Sequence, residues 1–85
     1  METNYTIEIK ENRATVFRNG EWFIELDNTH GLKAKDFLIS HRELFDALAN
    51  DEYSDYELDV ILGSYNASFK GKNFKKGQMS IFDYD

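Results

Sequence analysis

The dipeptide Asn19-Gly20 is the feature that most constrains what this chain can fold into. Both residues tolerate the positive φ angles of a type I′ turn, which is the tightest connection between two antiparallel strands. The runs on either side, 14–18 and 21–26, have the composition of strands. The sequence therefore predicts a β-hairpin centred on residues 19 and 20.

A strand of alternating polarity precedes this hairpin. Its apolar residues recur at every second position, the period of a strand that buries one face, and they are Tyr5, Ile7 and Ile9. The dipeptide Glu11-Asn12 offers a turn after it, so the three runs together predict an antiparallel meander. In the third run, one face is expected to carry Trp22, Ile24 and Leu26, and the opposite face Phe23.

A first helix is predicted after the meander. The segment 32–39 fits either a helical turn or a fourth strand, because its apolar pattern does not separate the two. Ser40 and Glu43 have the spacing of a capping box, in which a hydroxyl and a carboxylate satisfy free amides at a helix start. This spacing predicts a helix over residues 41–49, which Asn50-Asp51 would end.

A second capping box, Ser54 and Glu57, predicts another helix. Its apolar residues recur at helical spacing at Leu58, Ile61, Leu62 and Tyr65. The expected fold class is therefore α+β, a three- or four-stranded antiparallel meander with two short helices on one face. Periodicity is lost from Ala67, which predicts an acidic body, 1–68, and a C-terminal tail, 69–85, that begins as an extended linker.

Acidic residues dominate the body. Residues 1–68 contain six basic and fourteen acidic residues, whereas residues 69–85 contain four lysines and two aspartates. Binding to a phosphate backbone depends on Lys or Arg to neutralise phosphates and release counterions, so we expect no direct binding of this acidic body to nucleic acid. One alternative is that carboxylates spaced like DNA phosphates occupy the basic groove of a nucleic-acid-binding or defence enzyme, since small anti-restriction and anti-CRISPR inhibitors resemble this composition. The candidate residues are Asp46, Asp51, Glu52, Asp55, Glu57 and Asp59.

The sequence gives little support for catalysis. The chain has no cysteine, which excludes disulfides, thiolate ligands and a cysteine nucleophile. His30 and His41 lack a recognisable nucleophile and orienting group, so surface or capping roles are expected for both. The acids do not have the spacing of a calcium loop, and no Walker, GxGxxG or HExxH pattern occurs. We therefore expect no enzyme, no metal and no cofactor.

The sequence pattern predicts neither a secretory signal nor a membrane span. The residues after Met1 lack the basic and apolar regions of a secretory signal. The apolar residues are too dispersed for a membrane span of about 20 residues. We expect a cytoplasmic protein without membrane contact, and the sequence does not indicate its oligomeric state.

The most specific motif lies near the end of the chain, at Gln78-Met79-Ser80-Ile81-Phe82. It resembles the peptide Gln-Leu-Ser/Asp-Leu-Phe, by which many bacterial replication and repair proteins bind the β sliding clamp. The resemblance implies that Gln78 hydrogen-bonds at the edge of a clamp pocket and that Met79, Ile81 and Phe82 fill its apolar interior. Ser80 would be a spacer, and the preceding lysines would hold the peptide clear of the acidic body.

Two other interpretations of this end are open. It also resembles the eukaryotic and archaeal clamp motif through Gln78, Ile81 and Tyr84, but Asp85 occupies the final aromatic position of that motif. Alternatively, Ile81, Phe82 and Tyr84 form a last strand of the sheet, with further core residues at Phe69 and Phe74.

A small, non-enzymatic, acidic interaction protein is therefore the leading hypothesis. It would be encoded by a phage, a plasmid or a bacterium and would dock on a sliding clamp through residues 78–82, as an adaptor or an inhibitor. The alternative is the acidic DNA mimic described above. A third hypothesis is a subunit that pairs with another protein through Trp22 and Phe23, because three strands leave one sheet face uncovered.

Overall fold

The computed structural model describes residues 3–76. Its elements in chain order are the strands β1 (Tyr5–Lys10), β2 (Arg13–Arg18) and β3 (Glu21–Asp27), the helices α1 (Ala34–Ala49) and α2 (Asp55–Gly63), and the two-residue strands β4 (Ser68–Phe69) and β5 (Lys72–Asn73). The strands form one antiparallel sheet in the order β1-β2-β3-β4-β5. The α+β class with an antiparallel meander is confirmed, and the sheet has five strands in place of three or four.

The predicted hairpin turn lies between β2 and β3. Asn19 and Gly20 have φ angles of 55° and 86°, the left-handed values that a two-residue hairpin turn requires. The Asn19 side chain also accepts a hydrogen bond from the Asn4 N–H, and the Asn19 N–H donates to the Asn4 carbonyl oxygen. The turn therefore fixes the start of β1 as well as the hairpin.

A β-bulge changes the faces of β3 from those predicted. Val16 lies opposite Ile24, but Phe17 lies opposite Trp22, so Phe23 is the extra residue of the bulge. The extra residue rotates Trp22 away from the face that carries Ile24 and leaves it 47% exposed. Phe23 takes its place towards the helices. The predicted assignment of Trp22 and Phe23 to faces is therefore wrong.

One face of the sheet, here called the inner face, forms the core together with both helices. Its buried residues from β2 and β3 are Ala14, Val16, Ile24 and Leu26. The helices contribute Phe37, Phe45, Leu48 and Leu62 to the same cluster. Tyr5 and Phe23 extend the cluster through aromatic contacts with Phe45.

Helix α1 is longer than predicted and begins earlier. Its 16 residues include 34–39 of the ambiguous segment 32–39, because the buried residues Phe37, Phe45 and Leu48 recur at helical spacing. Ser40 consequently lies inside the helix, and the capping box predicted there is wrong. Lys33 precedes the first helical residue and makes no side-chain cap hydrogen bond.

Helix α2 begins as predicted. The Ser54 Oγ accepts a hydrogen bond from the Glu57 N–H at 3.2 Å, and the Ser54 N–H donates to the Glu57 carboxylate at 2.9 Å. This reciprocal pair confirms the second capping box. The helix ends at Gly63, so Tyr65 follows it and lies in the turn that leads to β4.

Residues 69–76 pack on the body and do not form an extended linker. Phe69 and Phe74 are buried in the core, and the Phe74 N–H donates to the Ala67 carbonyl oxygen at 2.7 Å. The division predicted between residues 68 and 69 falls within β4. The predicted docking peptide and the alternative last strand lie outside the described residues.

Candidate functional site

A polar network, here called the Arg13 network, joins the described end of the chain to the body. The Arg13 side chain donates to the Asp27 carboxylate at 2.7 Å, to the Asn66 carbonyl oxygen at 2.6 Å and to the Glu25 carboxylate at 3.2 Å. The Asn66 Nδ2 donates to Asp27 at 2.6 Å, while the Asn66 Oδ1 accepts from the Lys76 N–H at 3.0 Å. The network therefore fixes Lys76, the last described residue.

The carboxylate of Asp27 is held in its charged form by this network. Burial raises the pKa of Asp27, but hydrogen bonds from Asn66 and Arg13, together with the positive charge of Arg13, outweigh burial and lower the pKa below 3.8. Both carboxylate oxygens accept hydrogen bonds from these partners. Such a group stabilises the fold and is poorly suited to act as a general base.

The backbone before Lys76 lies close against α2. A Cβ atom on Gly63 would approach the Lys75 carbonyl oxygen to 3.2 Å, which is a tight contact for any side chain. Together with the buried Phe74, this contact places residues 74–76 along the end of the helix. The clamp-like peptide, 78–82, starts two residues later and lies outside the described residues.

A cavity of about 340 Å³ adjoins the Arg13 network. Its lining includes His30, His41, Tyr65 and Lys76. The His41 Nδ1 lies 2.9 Å from the Phe37 carbonyl oxygen, which can only accept, so Nδ1 carries the proton and Nε2 is left for other partners. The His41 ring also stacks on the Phe37 ring with centroids 4.2 Å apart.

No pattern in the sequence indicates this cavity. His41 was expected at a helix start, whereas the structure places it in the second turn of α1. His30 lies in the loop between β3 and α1, where the Asn28 side chain donates to the Leu32 carbonyl oxygen and accepts from the Leu32 N–H. Within residues 3–76, no group of three or more potential ligands is close enough to hold a metal ion.

Two of the six predicted acidic residues pair with cations of the described chain. Asp46 accepts a hydrogen bond from the Tyr5 hydroxyl at 2.8 Å and lies 3.6 Å from the Arg42 guanidinium. Asp51 pairs with the Lys70 ammonium at 2.9 Å. Burial and the bonded Asp46 carboxylate raise the pKa of Tyr5 to about 12.

The other four acidic residues belong to α2 or precede it. Glu57 closes the capping box with Ser54. Glu52 and Asp55 are exposed, and Asp59 is half-buried. The six carboxylates therefore do not form one unengaged row, because Asp46, Asp51 and Glu57 have partners within the described chain.

Comparisons with known proteins add no family to these observations. A scan against protein-family models and searches of curated proteins and of solved structures found no match to this chain. Neither of the helices between residues 3 and 76 is long and apolar enough to cross a membrane. The function is therefore inferred from the residues of this chain and their geometry.

Proposed function

We propose that this protein is a non-enzymatic interaction protein that docks on a bacterial-type DNA sliding clamp through residues 78–82. The observation that carries the proposal is the motif Gln78-Met79-Ser80-Ile81-Phe82, which resembles the clamp-binding peptide in all five positions. It is supported by the place where the motif begins. Only Gly77 separates Gln78 from Lys76, whose N–H is bonded to Asn66.

The apolar side chains of the motif supply the binding energy. Burial of Met79, Ile81 and Phe82 contributes about 1.5–3 kcal/mol each. Ordering the peptide and losing translational freedom offset much of that sum, so a micromolar Kd is expected. Met79 and Ile81 replace leucines of the clamp peptide with side chains of similar volume, which a preformed apolar pocket tolerates.

The short connection favours an inhibitor over an adaptor. Residues 74–76 are held by the body, so only Gly77 separates the fixed part of the chain from the motif. The body would then lie against the clamp surface beside the occupied pocket. It would exclude other proteins that use the same pocket.

Calorimetric titration of a bacterial sliding clamp tests this proposal. The full chain should bind with micromolar Kd, and Phe82→Ala should weaken binding about 30-fold or more, since it removes about 2 kcal/mol of apolar burial. Tyr84→Ala is the matched control, because Tyr84 lies outside the bacterial motif. This variant should bind the clamp as tightly as the unsubstituted chain. Equal binding by Phe82→Ala, or no binding by the full chain at 100 µM, would contradict the proposal.

Mimicry of nucleic acid is the weaker proposal, because Asp46, Asp51 and Glu57 are engaged within the described chain. Reversing the charge of Glu52 and Asp59 tests whether the acidic surface contributes to clamp binding. If the protein docks through residues 78–82, the double variant with both residues changed to lysine should bind the clamp as tightly as the unsubstituted chain. Weakened clamp binding by this variant would indicate that the acidic surface contributes to recognition.

A further inference from the structure

We propose that a groove at the other end of the sheet binds a carboxylate that is carried on an aromatic or apolar group, with Arg18 as the residue that binds the anion. The groove has a volume of about 320 Å³ and lies between the β2–β3 turn, the end of α1 and the β4–β5 turn. It is here called the Arg18 groove, and its lining includes Arg18, Trp22, Phe23, Leu48, Asp51, Phe69 and Lys70.

Arg18 is an arginine whose charge is not neutralised within the described chain. Arg13 and Arg42 form ion pairs, whereas Arg18 forms none with the carboxylates of residues 3–76. Glu21 lies opposite Arg18 in the strand register but forms no ion pair with it. The Arg18 Nε–H is buried and has no hydrogen-bond acceptor among those residues. A buried donor without an acceptor is costly, which favours a ligand that reorients the guanidinium and bonds to it.

The other two charged residues of the groove neutralise each other. The Lys70 ammonium lies 2.9 Å from the Asp51 carboxylate and 5.3 Å from the centre of the Phe69 ring. The Arg18 guanidinium is therefore the uncompensated charge of the lining. One positive charge on a protein of net charge −6 suits a singly charged carboxylate better than a doubly charged phosphate.

Aromatic and aliphatic side chains provide the rest of the groove. Phe23 and Phe69 meet edge to face with ring centroids 5.6 Å apart, and Leu48 is buried beside them. Trp22 is 47% exposed at the rim, so a ligand can cover its ring. A guanidinium next to apolar walls is the arrangement that binds a carboxylate in bidentate fashion and the attached ring by burial.

This site is independent of clamp docking. Arg18 ends β2, whereas the Arg13 network that fixes Lys76 lies where β2 begins. A failure of one proposal therefore leaves the other intact, because the clamp titration and a ligand titration of the groove use different residues.

The fluorescence of Trp22 tests the inference, because it is the one tryptophan of the sequence. Titration with N-acetylphenylalanine should change the emission saturably, with a Kd near 1 mM as expected for about 15 heavy atoms. The neutral control, N-acetylphenylalanine amide, should bind at least about 10-fold more weakly. Equal binding of acid and amide, or no saturable change with the acid, would overturn the proposal.

Variants of the arginines identify the anion-binding residue. Arg18→Met keeps the aliphatic stem and should weaken binding of N-acetylphenylalanine at least about 10-fold, while Arg42→Met should leave it unchanged. Arg18→Lys should give an intermediate Kd, because it keeps the charge but loses the planar fork. Unchanged binding by Arg18→Met, with unfolding curves showing that it is folded, would contradict the assignment.

A peptide probe distinguishes two sources of the carboxylate. In N-acetyl-Asp-Phe-amide the carboxylate is on a side chain, whereas in N-acetylphenylalanine it is at the end of the molecule. Tighter binding of the peptide would assign the groove to an acidic side chain of a protein partner. Tighter binding of N-acetylphenylalanine would assign it to a chain end or a small aromatic acid, and binding of neither would refute the proposal.

Discussion

The two ends of β2 carry the same residue type in opposite circumstances. Arg13, at the start of the strand, bonds to two carboxylates and a carbonyl oxygen. Arg18, at its end, has a buried donor without an acceptor in the described chain. The difference is one of surroundings, because Arg13 faces the turn after α2 and Arg18 faces a groove lined by aromatic rings.

This contrast separates a structural role from a binding role. A charge whose hydrogen bonds are all made inside the body stabilises the fold and adds no recognition. A charge that is partly desolvated and unpaired costs stability, and the cost is recovered when a ligand arrives. We therefore expect variants at the two ends of β2 to differ in stability and in binding.

The largest effect is expected from replacing the paired arginine. Arg13→Met should lower the free energy of unfolding by about 2–3 kcal/mol, because it leaves Asp27 and the Asn66 carbonyl oxygen half-buried without their main donor. Arg18→Met should change it by less than about 1 kcal/mol in either direction. Urea unfolding of both variants measures the difference, and equal losses would show that the two arginines do not differ in role.

The pH dependence of stability should change at the Arg13 end. The pKa of Asp27 is lowered in the folded state, so its contribution is present above 3.8 and is lost as the pH falls through the lowered value. Asp27→Asn should destabilise the fold by about 1–2 kcal/mol at pH 7 and progressively less in acid.

Glu52→Gln is the control for this change, because the Glu52 side chain is exposed. Urea midpoints between pH 2 and pH 7 compare the two variants. A difference between Asp27→Asn and the full chain that stays constant across this range would contradict the cause assigned to the lowered pKa.

A smaller effect is expected from Tyr5, which lies opposite Arg18 in the sheet. Tyr5→Phe removes the hydrogen bond to Asp46 and should cost about 1 kcal/mol. The pKa of Tyr5 is raised to about 12, so this contribution is complete below pH 10 and is lost as the pH rises through 12. Thermal unfolding from pH 8 to pH 11 should show that the cost persists to about pH 10, and a cost that disappears by pH 9 would argue against the bond.

The smallest effect is expected at the starts of the two helices, which are capped differently. Helix α2 begins with a capping box, and Ser54→Ala should cost about 0.5–1 kcal/mol. Ser40→Ala is the matched control and should be neutral or slightly stabilising, because Ser40 is exposed inside α1. Urea midpoints of the two variants test this, and a larger loss for Ser40→Ala would contradict the assigned helix boundary.

The features that the sequence predicted correctly depend on residues close together in the chain. The Asn19-Gly20 turn and the Ser54 capping box are examples, since both are determined by backbone angles and hydrogen bonds over four residues. The start of α1 was missed because burial of Phe37 extends the helix before Ser40, and burial is a tertiary effect. The bulge at Phe23 was missed because a strict two-residue alternation does not include an inserted residue.

The candidate sites were harder to predict, because their partners are distant in sequence. Arg13 and Asn66 are 53 positions apart, and no pattern in either segment indicates that they meet. The alternative interpretation placed Phe69 and Phe74 in the core, and both are buried there, although the surrounding lysines and glycines favoured a linker. The terminal motif was found because five consecutive residues carry it.

Comparing the full chain with a chain that ends at Gly77 tests the central claim most directly. We expect the full chain to bind a bacterial sliding clamp with micromolar Kd by calorimetry, the shortened chain to show no binding, and their melting temperatures to agree within about 2 °C. No clamp binding by the full chain, together with a clearly lower melting temperature of the shortened chain, would contradict the claim. It would mean that Ile81 and Phe82 belong to the core and do not dock on a clamp.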